Sequence, residues 1–167
     1  TSGKSTVALA IKTHINQLII KYKKKENIDE YATIVSDKVE FCRVITKGES
    51  HVCYVIDEWN ELANSGANAT TEANLFTFWT EVCAQRFIHR VCCTPKSMSN
   101  YDKQSTLLID VIAQDRDKKI THCMVSYNDP TANVIFPLGR IDISVKDVIK
   151  SDWYAKYRKR KFERIGL

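Results

Sequence analysis

The stretch Val52-Cys53-Tyr54-Val55-Ile56-Asp57-Glu58 decides the fold that this sequence predicts. Its first five residues form a continuous apolar run, which is too short for a typical helix and typical of a β-strand covered on both faces. Strands of this kind belong to parallel sheets whose faces are packed with helices. The run ends in two adjacent carboxylates, so a buried strand here leads directly into acidic side chains.

Upstream of this strand, apolar residues recur at helical spacing. They predict an amphipathic helix from Lys4 to about the lysines at 23–25, with a stripe formed by Val7, Ile11, Ile15, Leu18 and Ile19. The β-rich run Tyr31–Ser36 predicts a strand, and Cys42, Val44 and Ile45 predict another short one before a turn at Lys47-Gly48-Glu49.

Downstream of the strand, the pattern of helix and strand repeats. Residues 64–71 have the composition of a loop, and a second amphipathic helix is predicted from Leu75 to about Arg86. Val91-Cys92-Cys93-Thr94 then predicts a buried strand that Pro95 ends. Helix followed by apolar strand, repeated, indicates an α/β domain with a mostly parallel sheet.

The last third of the chain predicts antiparallel structure. Thr106–Ala113 and Ile120–Tyr127 read as a hairpin, Val134–Phe136 as a third strand, and Ser144 as the cap of a final helix. We therefore predict one domain over residues 1–167. It would consist of a nucleotide-binding core at 1–95, a β-rich extension at 96–143 and a basic helix at 144–167.

Composition excludes several classes of protein. The chain is 44% hydrophobic and 27% charged, as in an ordinary globular domain and unlike collagen-like, disordered or disulfide-scaffold chains. No apolar run approaches the roughly 18 to 20 residues of a membrane-spanning helix, and the first residues do not resemble a signal peptide. We predict a cytoplasmic protein, or one associated with a virus in the host cytoplasm, with no membrane span. The six Cys and four His show no metal-ligand spacing, which predicts structural thiols.

The net charge of +5 is concentrated at the C-terminus. Between Lys156 and Leu167, six basic residues stand against Glu163: Lys156, Arg158, Lys159, Arg160, Lys161 and Arg164. Such a segment can bind phosphates, or it can be a solvated helix end. Aromatic residues between the cations could stack on bases or pack on the core: Trp153, Tyr154, Tyr157 and Phe162.

The start of the first predicted helix carries a phosphate-binding pattern. Gly3-Lys4-Ser5-Thr6 matches the second half of G-x-x-x-x-G-K-[ST], whose first glycine would precede Thr1, so we expect a missing first strand before this chain. Glycine lets successive backbone N–H groups face an anion at a helix N-terminus. Lys4 can reach the β- and γ-phosphates, and Ser5 can ligate Mg²⁺. The whole segment Thr1-Ser2-Gly3-Lys4-Ser5-Thr6 is predicted to bind ATP.

The two carboxylates after the buried strand supply the other half of the predicted site. Asp57, at the carboxyl end of the strand, would hold Mg²⁺ across from Ser5. Glu58 would polarise the attacking water as a general base. Together the two motifs predict Mg²⁺-dependent ATP binding and hydrolysis at one shared site.

The order of these motifs resembles the additional-strand P-loop ATPases of the FtsK/HerA type. That class includes DNA translocases, viral genome-packaging ATPases and zonula-occludens-toxin-like phage assembly ATPases. The resemblance covers about residues 1–95 and implies a three-layer α/β/α fold. It also implies a catalytic polar sensor at Thr94, where many members carry Gln instead. Candidates for an arginine finger are Arg86, Arg90, Arg116 and Arg140.

The resemblance implies an oligomeric motor. A ring of identical subunits would move or package nucleic acid, with DNA as the expected substrate. The basic C-terminal segment would bind it, since its cations supply sequence-independent attraction to phosphates. Two alternatives stay open: a P-loop kinase acting on a small molecule or nucleotide, and an assembly or secretion ATPase acting on protein. Adjacent Asp57 and Glu58 favour hydrolysis over transfer.

Overall fold

The computed structural model describes residues 3–47, 49–57, 81–93, 106–129, 131–164 and 166. The chain divides into two compact units. The first comprises Thr1–Ala10 with Lys96–Lys150, and the second comprises Ile11–Pro95 with Ser151–Leu167. The described residues of the first unit contain an antiparallel three-stranded sheet, and those of the second contain a parallel three-stranded sheet. The prediction of a mixed α/β fold is therefore confirmed.

The parallel sheet has the strand order β1-β2-β3, with β1 at Ile34–Val35, β2 at Val52–Ile56 and β3 at Ile88–Cys92. All five residues of β2 are buried, as the continuous apolar run predicts for a strand covered on both faces. β3 begins three residues before the predicted Val91 and pairs with β2 from Val52↔Ile88 to Ile56↔Cys92. The predicted strand end at Thr94 and Pro95, and the predicted loop at 64–71, lie outside the described residues.

Helix α1 runs from Lys4 to Lys23, which confirms the first predicted helix. Its buried face differs from the predicted apolar stripe, because Leu18 is 41% exposed whereas Lys12 and Asn16 are fully buried. The two polar side chains can be buried because each has several hydrogen-bond partners, described below.

Helix α2 occupies Lys38–Lys47, where the sequence predicted a strand at 42–45, and that prediction is wrong. The reason lies at the start of the helix. Asp37 Oδ1 accepts a hydrogen bond from Glu40 N at 2.8 Å, and Glu40 Oε2 accepts one from Ser36 N at 2.9 Å. This pair of side-chain caps satisfies backbone donors in the manner of a capping box and outweighs the weak β-propensity of the apolar residues. Of the predicted helix 75–86, residues 81–86 are described, and they are helical (α3).

The antiparallel sheet has the order β4-β5-β6, formed by Leu107–Asp115, Ile120–Asp129 and Val134–Ser144. The predicted hairpin is confirmed, with a turn at residues 116–119. The predicted third strand is present and extends well beyond Phe136.

The predicted C-terminal helix is divided in two, α4 at Lys146–Lys150 and α5 at Asp152–Arg164. Ser151 separates them, and its carbonyl accepts the Ala155 N–H at 3.4 Å, so α5 starts afresh at this residue. Within the part of the chain that the structure describes, no helix is long and apolar enough to cross a membrane.

Candidate functional site

The predicted phosphate-binding segment forms the start of α1. Gly3 has a φ of +75°, in the left-handed region that favours glycine, and α1 begins at the next residue. Gly3 O accepts the Val7 N–H at 3.1 Å. The side-chain amide of Gln114 packs where a Cβ of residue 3 would stand. The backbone of a first helical turn, here Lys4 to Thr6, suits the oxygens of a phosphate group. Thr1 and Ser2 lie outside the described residues.

Asp57 directly follows β2 and is 2% exposed. Its backbone N–H continues the sheet by donating to Val35 O at 2.9 Å. Its carboxylate accepts a hydrogen bond from the Tyr157 hydroxyl at 2.7 Å on Oδ2, and the Lys161 ammonium lies 3.6 Å from the same oxygen. The aspartate at the carboxyl end of the strand is thus paired with two side chains of α5.

The structure divides the remaining predicted site residues. Gly3, Lys4, Ser5 and Thr6 belong to the first unit and Asp57 to the second, so each group is described by itself. Glu58 and Thr94 lie outside the described residues, and their predicted roles stay predictions. Among the residues that are described, no group of three or more His, Cys, Asp or Glu side chains could hold a metal ion.

The two halves of the predicted site differ in how well they fit their ligands. The left-handed glycine and the first turn of α1 fit phosphate oxygens. Asp57 does not fit Mg²⁺ while α5 lies against it, because Mg²⁺ takes near-octahedral oxygen ligands at about 2.0–2.1 Å. One of its two carboxylate oxygens, Oδ2, already accepts a hydrogen bond from Tyr157, and the Lys161 ammonium, 3.6 Å from the same oxygen, would repel a divalent cation.

The basic residues of α5 lie on two faces. Arg160 pairs with Glu40 and lies 3.7 Å from Asp37 Oδ2, and Arg164 Nη1 donates to Ser36 O at 2.9 Å. With Lys161, these residues face the second unit's own carboxylates and carbonyls. The other three cations are exposed: Lys156, Arg158 and Lys159. Half of the predicted nucleic-acid segment is therefore engaged within the protein.

A buried polar network that the sequence analysis did not find joins α1 to β2. The Asn16 side chain accepts the Cys53 N–H at 2.8 Å and donates to Cys53 O at 3.1 Å. Two residues further along β2, Val55 N donates to the backbone oxygen of Thr33, which directly precedes β1. The Asn16 side chain thus makes with Cys53 the pair of hydrogen bonds that the backbone of a neighbouring strand would otherwise make.

Lys12 lies one helical turn before Asn16 and is also buried. Its ammonium donates to Glu30 Oε2 and Glu30 O, both at 2.6 Å, and to Thr33 Oγ1 at 3.0 Å. It also lies 4.6 Å from the centre of the Trp153 ring, within cation–π range. Burial lowers the pKa of Lys12, and the Glu30 carboxylate opposes that shift. The sequence does carry a signal for this buried pair: Lys12 and Asn16 are four residues apart, so they share one face of the predicted helix, and apolar residues flank them.

The cysteines partly follow the prediction of structural thiols. All six are among the described residues and none forms a disulfide; Cys53, Cys83 and Cys123 are buried, whereas Cys92 is exposed. Burial raises the pKa of Cys53 to about 12 and that of Cys83 to about 11. Both thiols therefore stay protonated, and unreactive, near neutral pH.

The four arginine-finger candidates differ in their surroundings. Arg86 and Arg90 are half-buried, and Arg116 is exposed in the turn between β4 and β5. Arg140 Nε donates to Asp142 Oδ1 at 3.3 Å, and the same oxygen lies 2.6 Å from His122 Nδ1. The hydrogen bond with His122 lowers the pKa of Asp142. These surroundings single out none of the four arginines as an arginine finger.

Comparison of the chain with models of protein families, with curated proteins and with solved structures finds no match. The resemblance to additional-strand P-loop ATPases therefore stays a prediction that rests on the motifs.

Proposed function

We propose that this chain binds and hydrolyses ATP as a P-loop nucleoside triphosphatase. The observation that carries the proposal is that, within Gly3-Lys4-Ser5-Thr6, the glycine has a left-handed backbone and a helix begins at Lys4, directly after it. ATP would arrive as its magnesium complex, which neutralises charge on the phosphates. Gly3 to Thr6 would hold the phosphates, with Lys4 placed at the helix start to meet their charge.

The parallel sheet supports the same proposal. β2, the strand that ends in Asp57, is the middle one of the three described parallel strands. Cys93 N, one residue before Thr94, donates to Ile56 O at 3.0 Å. The end of β3 thus stays hydrogen-bonded to the end of β2, directly before Asp57, and the carboxyl ends of neighbouring parallel strands are where α/β folds carry their ligand sites.

A Lys4→Ala variant is expected to lose about 100-fold in ATP affinity, because a charged donor to phosphate contributes about 1.5–3 kcal/mol and Lys4 would meet two phosphates. Equilibrium titration of the full-length protein with a fluorescent ATP analogue measures this. The matched control is Lys21→Ala, an exposed lysine on the same helix, which should bind as the parent does. Equal affinity in all three proteins would remove the phosphate-binding role from Lys4.

The reaction type has its own test. Hydrolysis predicts release of inorganic phosphate from ATP with no added acceptor. Phosphate transfer to a nucleoside or small molecule, with little release in its absence, would replace the proposed hydrolase by the kinase alternative. Stimulation of the hydrolysis rate by DNA would support a nucleic-acid motor, and stimulation only by a protein substrate would support an assembly ATPase.

We further propose that nucleic acid binds the exposed face of α5, defined by Lys156, Arg158 and Lys159. Arg158 also lies 5.3 Å from the ring of Phe162, which is 41% exposed, so a cation and an aromatic ring are presented together. Cations attract the phosphates of single-stranded or duplex nucleic acid, and aromatic rings stack on unpaired bases. Neither interaction depends on the base sequence. In the proposed motor, this surface would contact the moving strand in each subunit of a homo-oligomer.

Changing Lys156, Arg158 and Lys159 together to Ser is expected to weaken DNA binding and to reduce the slope of log affinity against log salt by about 2–3, since each neutralised phosphate contributes about 0.9. Filter binding across a salt series measures both quantities. The control changes Lys21, Lys23 and Lys24 to Ser, which removes the same charge from exposed positions on and just after α1. The same salt slope in both variants would exclude the α5 surface, and basal ATP hydrolysis should be unchanged in either.

A further inference from the structure

Strand β6 forms one edge of the antiparallel sheet and is exposed along nearly its whole length. In the order β4-β5-β6 it pairs with β5, and no other described strand lies on its outer side. Ten of its eleven residues are exposed, and Ile143 is half-buried. The exposed side chains include apolar ones, since Leu138 is 62% and Ile141 is 40% exposed. An edge strand of this kind presents backbone N–H and C=O groups that another strand can bind.

The hydrogen bonds between β5 and β6 indicate which residues of β6 face outward. Val145 N, directly after β6, donates to Lys119 O at 2.9 Å. Opposed residues in an antiparallel pair alternate between bonded and non-bonded, and the register is continuous from here to Gly139. The backbone groups of the odd-numbered residues therefore face β5. Those of Arg140 and Asp142 point away from β5 and can pair with a further strand.

These two outward-facing residues carry opposite charges. The side chains of Arg140 and Asp142 are 58% and 52% exposed. Arg140 Nε donates to Asp142 Oδ1 at 3.3 Å, and His122 Nδ1 lies 2.6 Å from the same oxygen. Both contacts use Oδ1, so Oδ2 can accept a hydrogen bond from another donor. A cation and an anion are thus presented two residues apart on one exposed edge.

We propose that β6 pairs with β6 of a second copy of this chain, antiparallel about a two-fold axis at Ile141, so that Arg140 of each copy lies opposite Asp142 of the other. A two-fold axis forms each contact twice, because residue i meets residue j and j meets i. An axis at Arg140 or at Asp142 would bring like charges together, which is destabilising. The axis at Ile141 instead forms the opposite-charge pair twice, and charge complementarity therefore selects this register.

The proposed contact is short. The β5–β6 register shifts between Val125 and Ser126, and on β6 this irregularity is flanked by Pro137 and by Gly139, which has a φ of +143°. A bulge or a proline ends regular pairing and is typical of edge strands. We therefore expect the two copies to pair over about residues 139–144, with their Ile141 side chains packed together at the axis. An interface this small predicts a weak dimer that depends on protein concentration.

The proposed dimer goes beyond ATP hydrolysis and does not depend on it. A two-fold contact closes on itself, whereas a ring needs a head-to-tail interface. The β6 contact is therefore separate from any interface at which one subunit would complete the nucleotide site of the next.

The test is sedimentation equilibrium of the full-length protein from about 1 to 100 μM, in which the parent should pass from monomer towards dimer. Arg140→Asp and Asp142→Arg each place like charges opposite one another twice, and each should weaken self-association at least about tenfold. The controls Arg116→Asp and Asp117→Arg make the same changes of charge in the exposed turn between β4 and β5. Each control should associate as the parent does.

Mixing the two charge-reversal variants separates the proposed contact from an effect within one chain. Arg140→Asp leaves two acidic side chains at the edge, and Asp142→Arg leaves two basic ones. A dimer with one copy of each has opposite charges at both positions, so an equimolar mixture should dimerise at least as tightly as the parent. Both variants lose the Arg140–Asp142 pair within the chain, and mixing cannot restore that pair.

Circular dichroism checks that each variant is folded. Should a charge-reversal variant not fold, Ile141→Lys and Ile141→Glu take their place, since each would repel its own copy across the axis and attract the other. A parent that stays monomeric throughout the range overturns the proposal and leaves the edge to a strand of a different protein. Variants that associate as the parent does, or a mixture that fails to associate, overturn it as well.

Discussion

A Glu58→Gln variant is expected to bind ATP as tightly as the parent and to hydrolyse it about 10²–10⁴-fold more slowly. Gln has the shape of Glu but cannot accept a proton from the attacking water, and general base catalysis contributes a factor of this size. Single-turnover hydrolysis measures the chemical step, and equilibrium titration with ATP measures binding. Glu58 follows Asp57 directly, and the prediction of its role comes from that position.

The matched control for this variant is Glu61→Gln, a second glutamate in the same stretch of sequence. It removes the same charge and should leave hydrolysis close to the parental rate. A Glu58→Gln protein that hydrolyses ATP as fast as the parent would show that another group activates the water. Loss of ATP binding together with hydrolysis would instead indicate that Glu58 helps to hold the nucleotide or the fold.

An Asn16→Ala variant is expected to lower the free energy of unfolding by about 2–6 kcal/mol. The change leaves the N–H and the carbonyl of Cys53 buried without their hydrogen-bond partner, and each such group costs about 1–3 kcal/mol. This is a large part of the 5–15 kcal/mol that holds a typical domain together. Chemical denaturation measures the loss, and hydrogen exchange at the Cys53 amide should be accelerated beyond that of its neighbours in β2.

Gln17→Ala is the control for Asn16→Ala, because Gln17 is the next residue of α1 and is exposed. Exposed helix positions favour Ala slightly, so this variant should be as stable as the parent or a little more stable. If the two variants show the same midpoint of denaturation, the Asn16 amide contributes no more than a surface side chain. A variant of Asn16 too unstable to purify, beside a stable Gln17→Ala, agrees with the prediction.

The elements that local patterns specify were predictable. β2 follows from five consecutive apolar residues, and the β4–β5 hairpin follows from two β-rich runs about a polar turn. The start of α1 at Lys4 follows from a glycine that takes a left-handed conformation. In each case neighbouring residues in the sequence supply the interactions that select the structure.

Helix α2 is the element for which the apolar pattern predicted the wrong structure, a strand. Apolar residues at 42–45 have β-propensity, which is weak and depends on context. Asp37 and Glu40 form side-chain caps at the helix start, and their spacing of three residues was visible in the sequence. The strand prediction is wrong because these caps favour the helix by more than the β-propensity of the apolar residues favours a strand.

The sequence by itself determined the class of fold, the buried strand with its acidic end and the glycine-led helix start, because each depends on residues a few positions apart. Only the tertiary structure decided what Asp57 and Asn16 contact. Tyr157 and Asp57 are 100 residues apart, and Asn16 and Cys53 are 37 apart. Burial obliges each of these polar groups to find a hydrogen-bond partner, but which distant residue supplies it depends on how the helices pack, which no local pattern encodes. For the same reason, charge alone indicated either a phosphate-binding segment or a solvated helix end between Lys156 and Leu167, whereas the packed structure divides these cations between a face bound to the protein and a face open to solvent.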